Sequence, residues 1–434
     1  MVLALQEWEH RSPETDEILR GAFLDDARDV RTLAELLTTS GKLEILELKR
    51  GLGIRTRAHV GRIAIGRINI TIRPKIDNLR LLPLLRYAYG LRDFELYERT
   101  AHPDKTSGLQ DLLLLQFAAE AAELVARGLH RRYDRREGYL STPQGRIDFR
   151  GLALRPVLST TLPCIHHPRT ENCVLNRTLL AGLRLGVRLA DDLPLRGRLR
   201  GLVALLDESV DAVPLHPALL RQADRESTRL TAAYRPALAL IEILAQSGGT
   251  TLDSEDPQLR LPGFLFDMNR FYQQLLSRFL GDNLPGYTVR DESRLSDMFA
   301  YMPGFNPLAR RPPTPRPDFV ILRGSRPIAV LDAKYRDLWN EDLPREMLYQ
   351  LTLYSISQGG GGVATILYPT TQSAAREARI EFRNPLSAAG RCQVVLRPVD
   401  MLRLAGLIEG GRASMDERMR YARQLALGKE RENE

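Results

Sequence analysis

The sequence predicts a protein of mixed α and β structure: α+β in its N-terminal part, with a small β-sheet followed by a helical region, and α/β in its C-terminal part. Three observations carry this. Apolar and polar residues alternate through 43–76, the period of half-buried strands. Apolar residues recur three and four apart in long runs between 81 and 246, the period of helices. From 317 to 369, short β-branched runs flank one helical run.

In chain order, LEILELKRGLGIRTRAHVGRIAIGRINITIRPKI (43–76) is punctuated by Gly51, Gly53, Gly61 and Gly66, so it reads as antiparallel strands joined by tight turns, and Pro74 closes the last strand. LLPLLRYAYGL (81–91) and LQDLLLLQFAAEAAELVARGLHRRY (109–133) follow as helices, interrupted around 138–163 by connections rich in Gly, Pro, Ser and Thr. A second helical group spans about 171–246, with ENCVLNRTLLAGLRLGVRLA, LRGLVALLDE and YRPALALIEILAQ as its amphipathic pieces. SGGTTLDSEDPQ (247–258) combines glycines, acids and a proline and is the best linker in the chain, dividing it into parts 1–250 and 255–434. SMDERMRYARQLALGKERENE (414–434) ends the chain as a helix running into a charged tail.

A chain of 434 residues, 43% hydrophobic and 27% charged, belongs with globular proteins of two or three domains and excludes fibrous and disordered classes. The formal net charge of +8 favours polyanionic partners. Cys164, Cys173 and Cys392 match neither a disulfide framework nor a zinc site, which points to a reduced, cytoplasmic location. No stretch is apolar enough to span a membrane, so no membrane association is expected. No GxxxxGK[ST] loop is present, so a nucleotide-driven motor has to be another subunit. Of 62 basic residues only 6 are lysines, and Lys334 is the sole one between Lys105 and Lys429.

Lys334 ends the segment PDFVILRGSRPIAVLDAK (317–334), two apolar runs around a turn, which reads as a β-hairpin. A turn centred on Ser325 sets Asp318 directly opposite Asp332, where two carboxylates repel and lower stability. A divalent cation reverses that sign, since hard oxygen ligands suit Mg²⁺. Lys334 lies two residues beyond Asp332 and so shares its strand face. In a chain that otherwise uses arginine, an ammonium here is a selective choice: a compact donor able to orient water or meet charge on a phosphate. EMLYQLTLYSIS (346–357) then reads as a helix ended by glycines 359–362, and VATILYP (363–369) as a strand; Gln350 and Tyr354 fall on one helix face.

Pro317-Asp318, Asp332-Ala333-Lys334 and Gln350-x-x-x-Tyr354 together resemble the PD-(D/E)xK nucleases in their RecB-like form with a QxxxY helix. The similarity extends further. HVGRIAIGRINITIRPKI (59–76), LLRYAYGL (84–91), GLHRRYDRREGYLSTPQGRIDFRG (128–151), TENCVLNRTLLAGL (170–183) and GFLFDMNRFYQQLL (263–276), in this order, resemble the McrC family. McrC is the nuclease subunit of the McrBC modification-dependent restriction systems. The resemblance implies an N-terminal region that docks into a hexameric McrB-like AAA+ GTPase and stimulates it, and a C-terminal endonuclease that cuts double-stranded DNA. Carried over by position, Asp318 and Asp332 are expected to ligate Mg²⁺, Lys334 to act on the attacking water or scissile phosphate, and Gln350 and Tyr354 to support the site or contact DNA. GTP is expected on the partner, with none on this chain. One departure stands out: the helix before the hairpin commonly carries a glutamate in related nucleases, where this chain offers Gln273 and Gln274, leaving Asp267 as an open substitute.

Other readings stay open at this level. Asp318, Asp332 and Lys334 also suit a solvated strand face with an ordinary ion pair. Gln350 and Tyr354 suit a plain amphipathic helix. The arginines at 310, 311, 316, 323 and 326 suit a DNA backbone, whereas the basic stretch 127–150 suits a solvated or partner-facing surface. A RecB-like nuclease working alone or with a helicase, and a non-catalytic activator of an AAA+ ring, are the alternative functions.

Overall fold

The computed structural model describes residues 1–76, 78–91, 108–153, 160–248, 263–296, 298–358, 361–383 and 392–428. In chain order, strand β1 (Val2–Gln6), β2 (His10–Arg11) and helix α1 (Arg28–Thr39) precede β3 (Leu43–Leu48), β4 (Gly51–Thr56), β5 (His59–Ile65), β6 (Ile68–Arg73) and α2 (Asn78–Tyr89). Next come α3 (Leu109–Arg127), β7 (Arg132–Tyr133), β8 (Arg136–Leu140), β9 (Arg146–Ile147), α4 (Phe149–Ala153), β10 (Leu162–His166), β11 (Arg169–Thr170), α5 (Val174–Leu189), α6 (Leu193–Asp207), α7 (Pro217–Glu226) and α8 (Arg235–Ser247). The last third holds β12 (Gly263–Asp267), α9 (Met268–Asn283), β13 (Thr288–Asp291), β14 (Phe319–Arg323), β15 (Arg326–Ala333), α10 (Arg345–Ile356), β16 (Val363–Thr370), β17 (Ala378–Phe382), β18 (Cys392–Asp400), α11 (Met401–Glu409) and α12 (Met415–Leu427). The mixed α+β and α/β class expected from the sequence is thus observed.

Two compact units emerge: Met1–His102 together with Asp267–Glu434, and Pro103–Phe266. This division differs from a single cut between 250 and 255, and residues 249–258 of the expected linker lie outside the described residues. The difference has a physical cause. N-terminal residues pack and bond with C-terminal ones: Tyr87 donates to Asp282 Oδ2 at 2.9 Å, Tyr89 stacks on Phe271, and Tyr335 donates to Glu7 Oε1 at 2.9 Å. A scan for linker composition is blind to such long-range burial.

In the first unit the 43–76 alternation forms strands as expected, but they divide between two sheets. β4 lies between β2 and β3, while β5 pairs antiparallel with β6, which carries β1 parallel on its other edge. Within the first of these sheets Gly51 opens β4: its φ of +141° and the closeness of Leu19 O leave no space for a side chain. Glu7, at the end of β1, is buried, and its Oε1 accepts from the Lys75 backbone N–H at 2.7 Å as well as from Tyr335. Burial pushes this carboxyl above its ordinary value of 4.5, outweighing the Lys75 N–H, the Tyr335 hydroxyl and the Lys75 charge. A folded chain that holds the proton more tightly than the unfolded one has this contribution in full below the ordinary value and loses it as pH rises through the raised one. We therefore expect Glu7→Gln to gain in Tm relative to wild type as pH is raised from acid to neutral, read by thermal melts in a pH series; a constant difference would contradict it.

The C-terminal elements of the same unit build a six-stranded mixed sheet in the order β13-β14-β15-β16-β18-β17, parallel through β15, β16 and β18 and antiparallel elsewhere. The hairpin β14–β15, helix α10 and strand β16 appear where the sequence placed them; β17, β18 and α11 carried no expectation. α10 crosses over from β15 to β16, burying Leu351 and Tyr354 against Val330, Ala364, Ile366, Val394 and Leu396. Parallel strands covered in this way read as continuous apolar runs, as VATILYP does.

The second unit is a helical group with two small sheets, β8-β10-β9 and β11-β7. α5 approaches α8 at Gly182, where an added Cβ would fall 2.4 Å from Ile241 Cγ1, so only glycine permits this contact. Buried Asn176 accepts from the Tyr234 hydroxyl at 2.6 Å and donates to His130 O at 2.9 Å. The stretch 138–163, read from sequence as plain connections, also contributes strands: β10 pairs with both β8 and β9. Those strands are two to five residues long, so their alternation is too brief to register as a period.

Candidate active site

Hairpin β14–β15 turns through Gly324-Ser325, a two-residue loop with Gly324 at φ +64°, the geometry a right-twisted hairpin favours. The turn is therefore one step tighter than one centred on Ser325. Arg323 faces Arg326 and Leu322 faces Pro327, yet Ile321 faces Ala329 and Phe319 faces Leu331, because a bulge inserts Ile328 into β15. That extra residue restores the register and carries Asp318 opposite Asp332, on one face of the sheet.

Asp318 is fixed by two donors: its Oδ2 accepts from the Ala333 backbone N–H at 2.7 Å and its Oδ1 from Gln273 Nε2 at 3.1 Å. Asp332 is 1% exposed. Lys334 Nζ lies 2.8 Å from its Oδ2 as an ion pair, but neither carboxylate oxygen receives a well-aligned hydrogen bond among the described residues. Burial, then the neighbouring Asp332 charge, pushes Asp318 up to about 6, against Lys334 and the Ala333 N–H. Asp332 is likewise raised by burial, with Lys334 opposing. Burial would lower Lys334, yet the charges of Asp332 and Asp318 overcome it and hold the ammonium above its ordinary value. Lys334 is thus a retained cation, suited to meeting negative charge and unsuited to accepting a proton. Its backbone N–H bonds Leu367 O at 3.1 Å, so its place at the end of β15 is set by the sheet.

Gln350 and Tyr354 do come together, though away from direct contact with the carboxylates. Gln350 Nε2 donates to the Tyr354 hydroxyl at 2.7 Å, and that hydroxyl donates to Arg316 O at 2.9 Å. The pair anchors the segment that enters Pro317-Asp318. Asp267 is not drawn into the site: it caps α9, its Oδ1 accepting from the N–H groups of Asn269 (2.9 Å) and Arg270 (3.3 Å).

Two contributions to the site were not read from the sequence: the donor role of Gln273 and the charge of Glu292. Gln273 stands where a helix glutamate was sought and acts as a donor to Asp318, a role legible only once α9 is placed. Glu292, beyond the end of β13, adds a third negative charge that raises Asp318, and its N–H bonds Asp318 O at 2.9 Å. Its φ of +45° is a conformation that non-glycine residues rarely adopt. No local signal marked it. Among the described residues no group of three or more His, Cys, Asp or Glu side chains has the arrangement to hold a metal. The two-carboxylate set nevertheless fits a hard cation that keeps most of its waters, because the buried Asp332 oxygens have, among the described residues, no well-aligned hydrogen bond beside the Lys334 ion pair.

The class the fold and site define is an α/β protein whose mixed sheet carries, on one hairpin, two opposed carboxylates with a lysine beside them. The particular family follows from comparison. Residues 54–369 match the family model described as McrBC 5-methylcytosine restriction system component, and the chain belongs to that family. It is similar in fold to a chain of the refined half-complex from the tetradecameric assembly of Thermococcus gammatolerans McrB AAA+ hexamers with bound McrC, with TM-score 0.60 and 21% identity over 97% of this chain and 99% of that one. A chain in the cryo-EM structure of the Thermococcus gammatolerans McrBC complex matches with TM-score 0.47 and 19% identity, over 65% of this chain and 88% of that one. Comparison with curated proteins gives no match. Among the described residues no helix is long and apolar enough to cross a membrane.

Proposed function

We propose that the chain is the endonuclease subunit of a GTP-dependent restriction complex specific for modified cytosine, that it binds and stimulates an McrB-like hexameric AAA+ GTPase, and that it hydrolyses phosphodiesters of double-stranded DNA. The observation that carries the nuclease reading is the opposed pair of half-buried Asp318 and buried Asp332 with Lys334 beside it, an arrangement that costs stability unless a cation and a phosphate complete it. Support for the partner comes from the family and from the Thermococcus assembly, in which McrC is bound to McrB hexamers.

Asp318 and Asp332 would hold Mg²⁺. When bound, that ion supplies charge stabilisation at the phosphate and a more acidic water. The chain's residues do the rest. Gln273 and the Ala333 N–H keep Asp318 from rotating away. Lys334, protonated throughout the neutral range, meets charge developing on the scissile phosphate. Gln350 and Tyr354 act as positioning residues through Arg316 O.

The test combines purified chain, partner ring, GTP, Mg²⁺ and methylated duplex. Cutting that requires all of them supports the reading; equal cutting by the isolated chain would favour an autonomous nuclease. A second expected result concerns Gln273→Glu. It places a third carboxylate against Asp318, so half-maximal cutting should occur at severalfold lower Mg²⁺ while the cation-free chain melts earlier. An unchanged Mg²⁺ titration would count against cation binding at Asp318.

A further inference from the structure

Between β13 and β14 the chain makes an excursion, 293–316, whose described residues belong to no sheet and no helix. Its two legs are tied at the base: the Glu292 N–H bonds Asp318 O and the Leu295 N–H bonds Pro315 O, both at 2.9 Å. The tip is folded on itself. Asn306 accepts from the Arg310 N–H and donates to Arg310 O, both at 2.9 Å, and Gly304 and Ala309 take positive φ. Pro303, Pro307, Pro312, Pro313 and Pro315 stiffen it further. This built loop exposes Met302 (72%), Phe305 (75%) and Leu308 (68%) to water. Its four arginines, Arg294, Arg310, Arg311 and Arg316, are exposed and form no ion pair among the described residues, and the segment contains one acidic residue.

We propose that residues 293–316 are a DNA-engaging strap: Arg310, Arg311 and Arg316 grip phosphates beside the scissile bond, and the Met302–Phe305–Leu308 tip wedges into the minor groove of the same duplex. The inference rests on the reading of Asp318 and Asp332 as the cutting site. Charge and attachment select DNA over a protein partner. Four exposed guanidinium groups on one strap, without an ion pair among the described residues, match a phosphate backbone, the sequence-independent part of DNA affinity. The strap ends at Arg316-Pro317-Asp318, with Arg316 O held by Tyr354, so the backbone that carries the Arg316 guanidinium is fixed two residues from Asp318. Exposed apolar side chains between cations are the composition of wedges that unstack a base step. A stiff loop loses little entropy on binding.

Full-length chains are compared by anisotropy of a fluorescein-labelled duplex across a KCl series, with a 2-aminopurine duplex reporting unstacking. Arg310→Ala with Arg311→Ala should weaken binding about tenfold or more and reduce the salt slope by about 2, since each phosphate left unneutralised lowers it by about 0.9. Met302→Ser with Phe305→Ser should weaken binding severalfold, leave the slope unchanged and remove the 2-aminopurine signal. Wild-type binding in both variants, or no duplex binding by the wild type at low salt, overturns the strap. So does a tip variant that changes the chain's mass in light scattering while binding DNA normally, which would make the tip a contact between copies. Asp332→Asn separates the two ideas: if it still cuts while the strap variants lose binding, the site reading fails and the strap stands.

Discussion

Asp332→Ala is expected to reduce DNA cutting by about 10³-fold or more and to leave stimulation of the partner's GTP hydrolysis intact. The magnitude follows from removing a group on which the transition-state charge balance depends; three orders of magnitude is about 4 kcal/mol of barrier. The variant should stay folded. Asp332 is a buried carboxylate facing a second one, so its loss relieves repulsion on Asp318, and Lys334 keeps the Asp318 charge as a neighbour. Thermal melts without Mg²⁺ should show no loss of Tm. The measurement pairs a cleavage time course with phosphate release by the ring. Cutting at the wild-type rate would remove Asp332 from the chemistry, and loss of both activities in a folded variant would contradict the separation of cutting from partner stimulation.

Phe279→Ala is expected to have the largest effect on stability. Phe279 is fully buried on α9, with its ring 6.4 Å from that of Tyr87 on α2 and 6.1 Å from that of Tyr421 on α12, both edge-on. One side chain therefore joins an N-terminal helix to two C-terminal ones. Truncating a buried phenylalanine costs about 3–5 kcal/mol, and edge-on pairs add to the loss. For a unit of this size the drop in Tm is on the order of 10 °C. Cutting measured at low temperature should persist, because Phe279 touches none of the site residues. A shift of only a degree or two in calorimetry would mean that α2 and α12 do not depend on this ring.

Much of the fold was legible because it is written locally. The alternation in 43–76, the helical periods of 109–127 and 174–189, and the apolar run of β16 each follow from neighbouring residues. The parts that escaped are those whose signal is short or distant. β7 to β11 are only two to five residues long, β17 and β18 lie beyond a segment with no recognised period, and α11 is a nine-residue helix. The N-terminal strands and α2 joined the C-terminal half because Glu7, Tyr87 and Tyr89 find partners far along the chain, at Tyr335, Asp282 and Phe271.

The candidate site divides in the same way. Sequence alone determined that Asp332 and Lys334 share a face, since side chains in a strand alternate with a period of two, and that a lysine amid so many arginines is a selective choice. Tertiary structure decided the rest. The tight Gly324-Ser325 turn would by itself set Asp318 and Asp332 on opposite faces, and the bulge at Ile328 reverses that by one residue. It also decided that Gln273 donates to Asp318, that Asp267 is spent on a helix cap, and that Tyr354 holds Arg316 O. The reason is physical: strand periodicity is a property of adjacent residues, whereas register and side-chain partners are fixed by how separate elements pack, which adjacent residues do not encode.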